Sequence, residues 1–311
     1  MEGASRDLHV GDTVEILSEK EILASLDGNG TCEGLPFMPE MRKYCGRRFR
    51  VYRRADKICV EGAYLRRMRN AVTLERVTCD GTAHEKCARM CLIFWKEAWL
   101  RKVNAGGGNE PDGDADPGGH LCASPKPGVF SCQSTELVNA TTHLSSLEIG
   151  QYLRDVSSGN FRVTDVITFV SIYLYNKVAY WTGRPEFGKL IGNADRTQRV
   201  TLHLQPGDLV EVRTREEILQ TLDRQGRNRG LHTDWEALRH CGNRYRVLRR
   251  IDNIVLETTG QMRAIQDTVI LEGTECSGLL RRGCARGCFP FWREAWLKRV
   301  EEQDRPSPVH S

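Results

Sequence analysis

The segment CDGTAHEKCARMCLIFWKEAWLRKV, residues 79–103, decides how this chain is organised, because a second version of it occurs near the other end. That second version, CSGLLRRGCARGCFPFWREAWLKRV, covers residues 276–300. Each version contains three cysteines, with Ala-Arg between the last two, and continues into Phe-Trp-x-Glu-Ala-Trp-Leu. Similarity of this kind indicates an internal duplication, so we expect two halves that fold alike.

The duplication extends well upstream of the cysteine segment. Residues 11–51 match residues 207–247 without a gap. We therefore predict two repeats, residues 8–103 and residues 203–300. Two copies form a pair of domains rather than a solenoid, which normally needs at least three units.

The sequence between and after the repeats has a different composition. Residues 104–128 are rich in Gly, Asp and Pro, which cannot build a core, so we predict a disordered linker. Residues 129–202 are predicted to form a helical connector, with a helix over residues 164–181 buried between the repeats. Its apolar run is shorter than the roughly 20 residues that cross a membrane, so no transmembrane segment is expected. Residues 301–311 are predicted to be a disordered tail.

Each repeat contains several short strands with helical insertions. Residues 11–16, GDTVEI, alternate apolar and polar side chains as a strand does, and residues 48–53, RFRVYR, alternate basic and apolar ones. Ser18 followed by Glu21 predicts a capping box at the start of a short helix. Trp95 and its counterparts near the end of each repeat are expected to pack in the core.

The strand that opens each repeat with Gly-Asp-x-Val and the Trp-Leu strand that closes it resemble those of SH3-like barrels. The resemblance implies a mainly β protein with helical insertions. Together with the duplication, it predicts tandem SH3-like small barrels, each with a cysteine-rich metal-binding segment, joined by a helical connector. Fold alone does not define function.

The chain contains 12 cysteines in 311 residues. Such a number indicates either disulfides in an oxidising compartment or metal and redox sites in a reducing one. The first residues, MEGASRDLHVGD, lack the apolar core of a secretory signal, so a cytoplasmic protein is expected. In that compartment clustered cysteines favour metal binding.

Four cysteines recur in each repeat, and we predict that they hold one metal centre per repeat. Thiolates are soft ligands that suit Zn²⁺ or an iron–sulfur cluster, and four of them complete a tetrahedral site or anchor one cluster. If the last two lie on a helix, their spacing of four places them on one face. The predicted ligands are Cys45, Cys79, Cys87 and Cys91 in the first repeat, and Cys241, Cys276, Cys284 and Cys288 in the second.

Zinc is favoured over an iron–sulfur cluster, because a duplicated site on a small domain is more often structural than electron-transferring. The C-x3-C spacing also fits a cluster, and structural thiols or disulfides are a third reading. Residues that the second copy does not keep are left out of the shared ligand set. They are Cys32, Cys59 and His84, replaced by Asn228, Val255 and Arg281.

Three functional hypotheses follow. The first is a metal-binding tandem-domain protein that acts as a binding or scaffold module for a protein or an anionic partner. The second is an iron–sulfur redox or sulfur-handling protein of a biosynthetic pathway. The third is a nucleic-acid-binding protein, because basic side chains alternate with apolar ones on one strand of each repeat. The arginines concerned are Arg48, Arg50 and Arg53, and Arg244, Arg246 and Arg249.

Whether the chain is an enzyme is left open by the sequence. No Walker loop, dinucleotide fingerprint, H-E-x-x-H or nucleophile elbow is present. Cys132, in Cys-Gln-Ser-Thr-Glu-Leu, is a candidate nucleophile, since a thiol at a helix start can have a lowered pKa. The alternatives are an ordinary connector cysteine and an extra metal ligand together with Cys122.

Overall fold

The computed structural model describes residues 7–61, 64–103 and 128–301. Strands account for 28% of the chain and helices for 23%, and the strands form several antiparallel sheets that include a half-barrel. The chain divides into two compact units. The first contains the described residues up to Leu174 together with Asn253–Arg263 and Ser277–Cys288, and the second contains the remainder. Two segments of the second repeat thus belong to the first unit, which the boundaries of the repeats did not predict.

Ten strands lie in the part of the first half that the structure describes. They are β1 (Thr13–Ile16), β2 (Thr31–Cys32), β3 (Leu35–Pro36), β4 (Arg48–Arg54), β5 (Lys57–Val60), β6 (Tyr64–Met68), β7 (Ala71–Thr78), β8 (Leu92–Lys96), β9 (Leu100–Lys102) and β10 (Thr141–His143). The main sheet has the order β8-β7-β4-β1-β9, and a second has the order β10-β6-β5. β2 and β3 form a small hairpin.

Alternation along the strands decides which side chains form the core of the main sheet. Val14 pairs with Phe49 and Ile16 with Leu100, in antiparallel register. Val14 and Ile16 are buried, whereas Glu15 between them is only partly buried. Trp95 is fully buried, as expected from the sequence. The apolar face of this sheet therefore supports the segments that carry the site.

Nine further strands lie between residues 209 and 299. They are β11 (Leu209–Val212), β12 (Arg227–Asn228), β13 (Leu231–His232), β14 (Arg244–Arg250), β15 (Asn253–Val255), β16 (Met262–Ala264), β17 (Thr268–Leu271), β18 (Trp292–Arg293) and β19 (Leu297–Arg299). The five-stranded sheet of the second unit has the order β18-β17-β14-β11-β19. These strands are the sequence equivalents of those in the first main sheet, in the same order. Val210, Val212, Trp292 and Trp296 are buried in its core.

The described residues contain five α-helices besides the sheets. They are α1 (Glu19–Leu23), α2 (Gly150–Ser157), α3 (Val163–Thr182), α4 (Arg215–Gln220) and α5 (Trp235–Leu238). The predicted capping box is confirmed, because Ser18 and Glu21 hydrogen-bond to each other's backbone at the start of α1. Thr214 and Glu217 do the same at α4. The same residue types therefore start the same helix in each repeat.

The connector helix α3 matches the predicted helix over residues 164–181, but it is only partly buried. Phe169 is fully buried and packs against Tyr152 and Phe161. Ile167 and Trp181 are 61% and 73% exposed. Among the described helices, none combines the length and apolarity that crossing a bilayer requires. Most of the predicted linker and tail, residues 104–127 and 302–311, lies outside the described residues.

Candidate metal site

A tight loop after strand β7 brings two potential ligands together. Cys79 directly follows the strand, and His84 lies on a short 3-10 helix, Thr82–His84. Between them Gly81 has φ +80°, and a Cβ atom there would lie 2.1 Å from the Cys87 carbonyl oxygen. Only glycine accommodates both the left-handed backbone and this close approach. The loop therefore folds back on itself and turns the His84 side chain inward, where it is buried.

A third potential ligand comes from another part of the same unit. Glu40 lies in the 3-10 helix Pro39–Tyr44, which Pro39 begins at a position where its missing N–H costs nothing. Met38 and Met41 on either side of Glu40 are core residues. The helix is consequently held against the core, and the Glu40 residue is only 6% exposed.

The three side chains meet at one point. The Cys79 thiol donates a hydrogen bond to Glu40 Oε1 at 3.2 Å, and His84 Nδ1 lies 3.5 Å from the same oxygen. One ligand atom from each residue lies within 4.8 Å of the other two. Within residues 7–61, 64–103 and 128–301, no other three His, Cys, Asp or Glu side chains come this close together.

The second oxygen of the Glu40 carboxylate, Oε2, is buried without any hydrogen-bond partner. A buried charged group without a partner costs several kcal/mol (~3 or more) unless a counter-ion compensates it. Carboxylate, thiolate and imidazole are the three protein ligand types that Zn²⁺ accepts. The residues present therefore fit a divalent cation, and the orphaned oxygen is what such an ion would satisfy.

The charges and burial around Cys79 keep its thiol protonated unless a cation is bound. Burial raises the pKa of the Cys79 thiol, and the nearby Glu40 carboxylate and Cys91 raise it further. Each of these effects disfavours a thiolate as long as no cation is present. A bound divalent cation reverses the balance, because it stabilises the thiolate and offsets the carboxylate charge.

The site adjoins a small cavity of about 30 Å³. That volume holds at least one water-sized occupant. Four thiols line the cavity together with His84, namely Cys79, Cys87, Cys91 and Cys132. The structure thus brings three of the four predicted ligands of the first repeat to one place.

The fourth predicted ligand of this repeat, Cys45, does not line the cavity. It ends the 3-10 helix Pro39–Tyr44 and is half-buried. Burial raises the pKa of Cys45 to about 11, and the charges that act on its thiol are those of Glu19 and Arg42. Cys45 therefore lies among different neighbours from the thiols of the cavity.

The C-x3-C segment is not helical. Residues 87–91 have no regular secondary structure, and Lys86 and Met90 have positive φ values of 62° and 54°. A helix cannot pass through left-handed residues. The prediction that Cys87 and Cys91 share a helix face is therefore wrong, although both side chains do reach the cavity through an irregular turn.

Cys132 does not have the environment of an activated nucleophile. Burial, together with the charge of Cys91, raises the pKa of its thiol to about 12. Its own backbone N–H donates to Thr135 Oγ1 at 2.9 Å. Because the thiolate is the reactive form, a raised pKa is opposite to what nucleophilic catalysis needs.

The second repeat has only part of this arrangement. The Cys276 thiol donates to Glu236 Oε2 at 3.5 Å, as Cys79 does to Glu40. The other carboxylate oxygen of Glu236 lies 3.6 Å from the Arg239 guanidinium. The sequence position of His84 is occupied by Arg281, which is not a metal ligand.

The other predicted ligands of the second repeat are divided between the units. Cys241 is in the second unit, where burial raises the pKa of its half-buried thiol. Cys284 and Cys288 belong to the first unit. Cys284 is buried and Cys288 is exposed.

The arginines predicted to face an anionic partner make contacts within the protein. Most of them use a guanidinium N–H to reach a carboxylate or carbonyl oxygen of a neighbouring strand or turn. The contacts are Arg48 to Glu15 at 3.1 Å, Arg50 to Gly11 O at 3.5 Å, Arg53 to Ser277 O at 3.4 Å, Arg244 to Glu211 at 3.4 Å and Arg246 to Gly207 O at 2.9 Å. Arg249 is partly buried on β14. Binding of an anionic partner by this set stays a prediction.

Sequence reasoning missed Glu40 and excluded His84. Glu40 is 39 residues from Cys79, so spacing alone did not connect them. A signal for Glu40 was present, because Glu236 occupies the equivalent place in the second copy. No protein-family model, curated protein or solved structure matches this chain, so the assignment depends on its own geometry.

Proposed function

We propose that this chain is a metal-binding protein with one Zn²⁺ site, formed by Glu40, Cys79 and His84. The observation that carries the proposal is the buried, unpartnered Glu40 Oε2 beside a thiol and an imidazole. With metal–ligand bonds of about 2.0–2.3 Å, tetrahedral ligands lie about 3.2–3.8 Å apart. The contacts of 3.2 and 3.5 Å from Glu40 Oε1 to the Cys79 sulfur and to His84 Nδ1 have that spacing. An ion held there that also contacts Oε2 would give the second oxygen its missing partner.

Three protein ligands leave a fourth position for water, for which the adjoining cavity has room. The chain's own residues then hold the ion between three segments: the 3-10 helix Pro39–Tyr44, the end of β7 and the loop after it. A metal bound in this way contributes its binding free energy to folding. An open fourth position distinguishes the site from closed structural zinc sites, which have four protein ligands. We infer a binding module that the metal helps to fold.

The test is metal content, measured on the full chain purified under reducing conditions without chelator. Elemental analysis is expected to find close to one zinc per chain. Cys79→Ser should lose the metal, because a serine hydroxyl does not replace a thiolate ligand. The matched variant Cys276→Ser, which changes the equivalent position of the second repeat, should keep it. Absence of metal in the wild type, or equal loss in both variants, would remove the proposal.

An iron–sulfur cluster is the second candidate, favoured by the four thiols that line one cavity. Cys79, Cys87, Cys91 and Cys132 have the number and type of ligand that a cluster requires. Purification without oxygen should then give a coloured protein with iron and acid-labile sulfide, and Cys132→Ser should bleach it. A colourless protein that contains zinc excludes this candidate and supports the first.

A further inference from the structure

A second pair of thiols lies in the first unit, formed by residues that the proposed metal site does not use. Cys59 is on strand β5, and Cys284 is in the segment Ser277–Cys288. The Cys59 backbone N–H donates to Cys284 Sγ at 3.0 Å. The two side chains are also hydrogen-bonded to each other. Cys284 is buried and Cys59 is half-buried.

The backbone around this pair is held in a defined register. Ala285 N–H donates to the Lys57 carbonyl oxygen at 2.8 Å, which aligns the cysteine segment with β5. One guanidinium N–H of Arg286 donates to the Cys59 carbonyl oxygen at 3.1 Å. Gly278 has φ +83°, and a Cβ atom there would lie 2.1 Å from the Cys284 carbonyl oxygen. These contacts keep the two sulfur atoms facing each other.

The first unit contains an equivalent junction in which one thiol is missing. There the cysteine segment of the first repeat lies along β15, with Ala88 N–H donating to Asn253 O at 2.8 Å. The Val255 N–H donates to Cys87 Sγ at 3.3 Å, as Cys59 N–H does to Cys284. Val255 is the sequence equivalent of Cys59. The contact between Cys87 and Val255 is therefore an internal control, because it has the same backbone hydrogen bonds but only one thiol and cannot form a disulfide.

We propose that Cys59 and Cys284 form a reversible disulfide that fastens the segment Ser277–Cys288 to β5, with hydrogen peroxide as a sufficient oxidant. The Cys284 thiolate attacks one peroxide oxygen, the O–O bond breaks and hydroxide leaves, which gives a sulfenic acid. The Cys59 thiol then attacks that sulfur, the S–O bond breaks and water leaves. Two thiols and one peroxide thus become one disulfide and two water molecules.

The surroundings favour Cys284 as the thiol that reacts first. Its sulfur accepts the hydrogen bonds from Cys59, and the Arg286 guanidinium adds a positive charge, so its pKa is lowered. Lys57, which forms an ion pair with Asp155, is also close enough to act on Cys284. The same hydrogen bonds place the Cys59 thiol where the second step needs it.

Disulfide formation has a measurable effect on stability, because the linked residues are 225 positions apart. A cross-link that closes a long loop reduces the conformational entropy of the unfolded chain. The oxidised protein should therefore unfold at a higher temperature than the reduced one. Reduction by a small dithiol should restore the lower value.

The experiment treats the full chain, as purified with its metal, with a slight excess of hydrogen peroxide. Remaining thiols are blocked with N-ethylmaleimide, and digestion without reductant is followed by mass spectrometry. We expect the Cys59 and Cys284 peptides to be joined and Cys87 to carry the blocking group. In Cys59→Val, which copies the residue at position 255, Cys284 should be blocked and the shift in melting temperature should be absent.

Two results would overturn the proposal. One is recovery of both Cys59 and Cys284 as blocked thiols while the wild type is folded and oxidant is present. The other is a disulfide of Cys284 with a different cysteine, such as Cys288. The reciprocal variant Val255→Cys keeps the test valid even if Cys59→Val does not fold. It should form a second disulfide, between Cys87 and the new cysteine at position 255. If Val255→Cys forms no disulfide with Cys87, that result also contradicts the proposal. Zinc content in Cys59→Val reports separately on the metal site.

Discussion

The two repeats place a glutamate beside a cysteine in the same way, but at the position of His84, the third ligand of the proposed metal site, the second repeat has Arg281. In the first, Glu40, Cys79 and His84 meet, and one carboxylate oxygen has no partner. In the second, Glu236 accepts from Cys276 and lies 3.6 Å from Arg239. An arginine of the protein thus forms an ion pair with the second carboxylate, whereas for the first we propose that a bound cation supplies the missing partner.

The difference between the two repeats extends to the charged side chains around each glutamate. Lys43, the equivalent of Arg239, pairs with Asp80 at 2.5 Å and not with Glu40. The position of Asp80 is Ser277 in the second repeat, so no such acidic partner exists there. A few side chains around a common backbone therefore determine whether the glutamate is paired internally or is available to a metal.

The largest effect is expected when the first site is converted to the sequence of the second. His84→Arg removes the imidazole and adds a positive charge beside the metal position, so zinc affinity should fall by more than about 100-fold. Competition with a coloured chelator measures the change. The control is His143→Arg on the exposed part of β10, which should bind zinc as the wild type does. Equal binding by all three proteins would contradict the assignment.

The shared glycine turn should be equally important to stability in both repeats. Gly81→Ala and Gly278→Ala each place a Cβ atom 2.1 Å from a carbonyl oxygen, at φ values of +80° and +83°. Each should lower the free energy of unfolding by roughly 2–3 kcal/mol, measured by urea denaturation. Only Gly81→Ala should also weaken zinc binding. If Gly278→Ala weakened zinc binding and Gly81→Ala did not, the zinc site would have to be assigned to the second repeat.

Replacing each of the two glutamates by methionine should change the stability of the metal-free protein differently. Glu40→Met removes a buried, half-satisfied carboxylate from a region with methionine neighbours, so we expect stabilisation by about 1–2 kcal/mol. Glu236→Met removes a carboxylate that already has Arg239 and Cys276 as partners, so stability should be unchanged or lower. Thermal unfolding in the presence of chelator compares the two. Destabilisation by Glu40→Met would mean that its carboxylate is satisfied without a metal.

Zinc affinity should rise with pH by up to about tenfold per unit between pH 6 and 8. The reason is that burial, Glu40 and Cys91 raise the pKa of Cys79 above its ordinary value of 9.0, so zinc must displace a proton from the thiol. In the metal-free protein, stability depends on pH in the opposite sense and falls as the pH rises. There a raised thiol pKa contributes stability below pH 9 that is lost at higher pH. Calorimetry in buffers of different ionisation enthalpy counts the protons released, and a count of zero would refute this account.

Much of the fold could be predicted from local patterns. The alternating residues of β1 and β4, the capping box at Ser18 and the helix near residues 163–182 all depend on neighbours in sequence, which a single sequence displays. The buried tryptophans followed from the same reasoning. What could not be predicted is the assignment of Asn253–Arg263 and Ser277–Cys288 to the first unit, because that depends on contacts between distant segments.

The site was predicted only in part, for a related reason. Cys79, Cys87 and Cys91 reach one cavity, but Cys45 lies beside Glu19 and Arg42. The criterion that ligands must recur in both copies excluded His84, although the structure places it beside Cys79. That criterion assumes that both copies keep the same chemistry. The pairing of Glu236 with Arg239 indicates that they do not.

The ligands of the bound metal test the central claim most directly, and X-ray absorption at the zinc edge measures them on the full chain. The account predicts one zinc per chain with a single sulfur at about 2.3 Å and the remaining ligands nitrogen or oxygen at about 2.0 Å. Cys79→Ser should abolish the sulfur contribution together with the metal. Four sulfur ligands, or two zinc ions per chain, would contradict the account and restore the four-cysteine centres expected from the sequence.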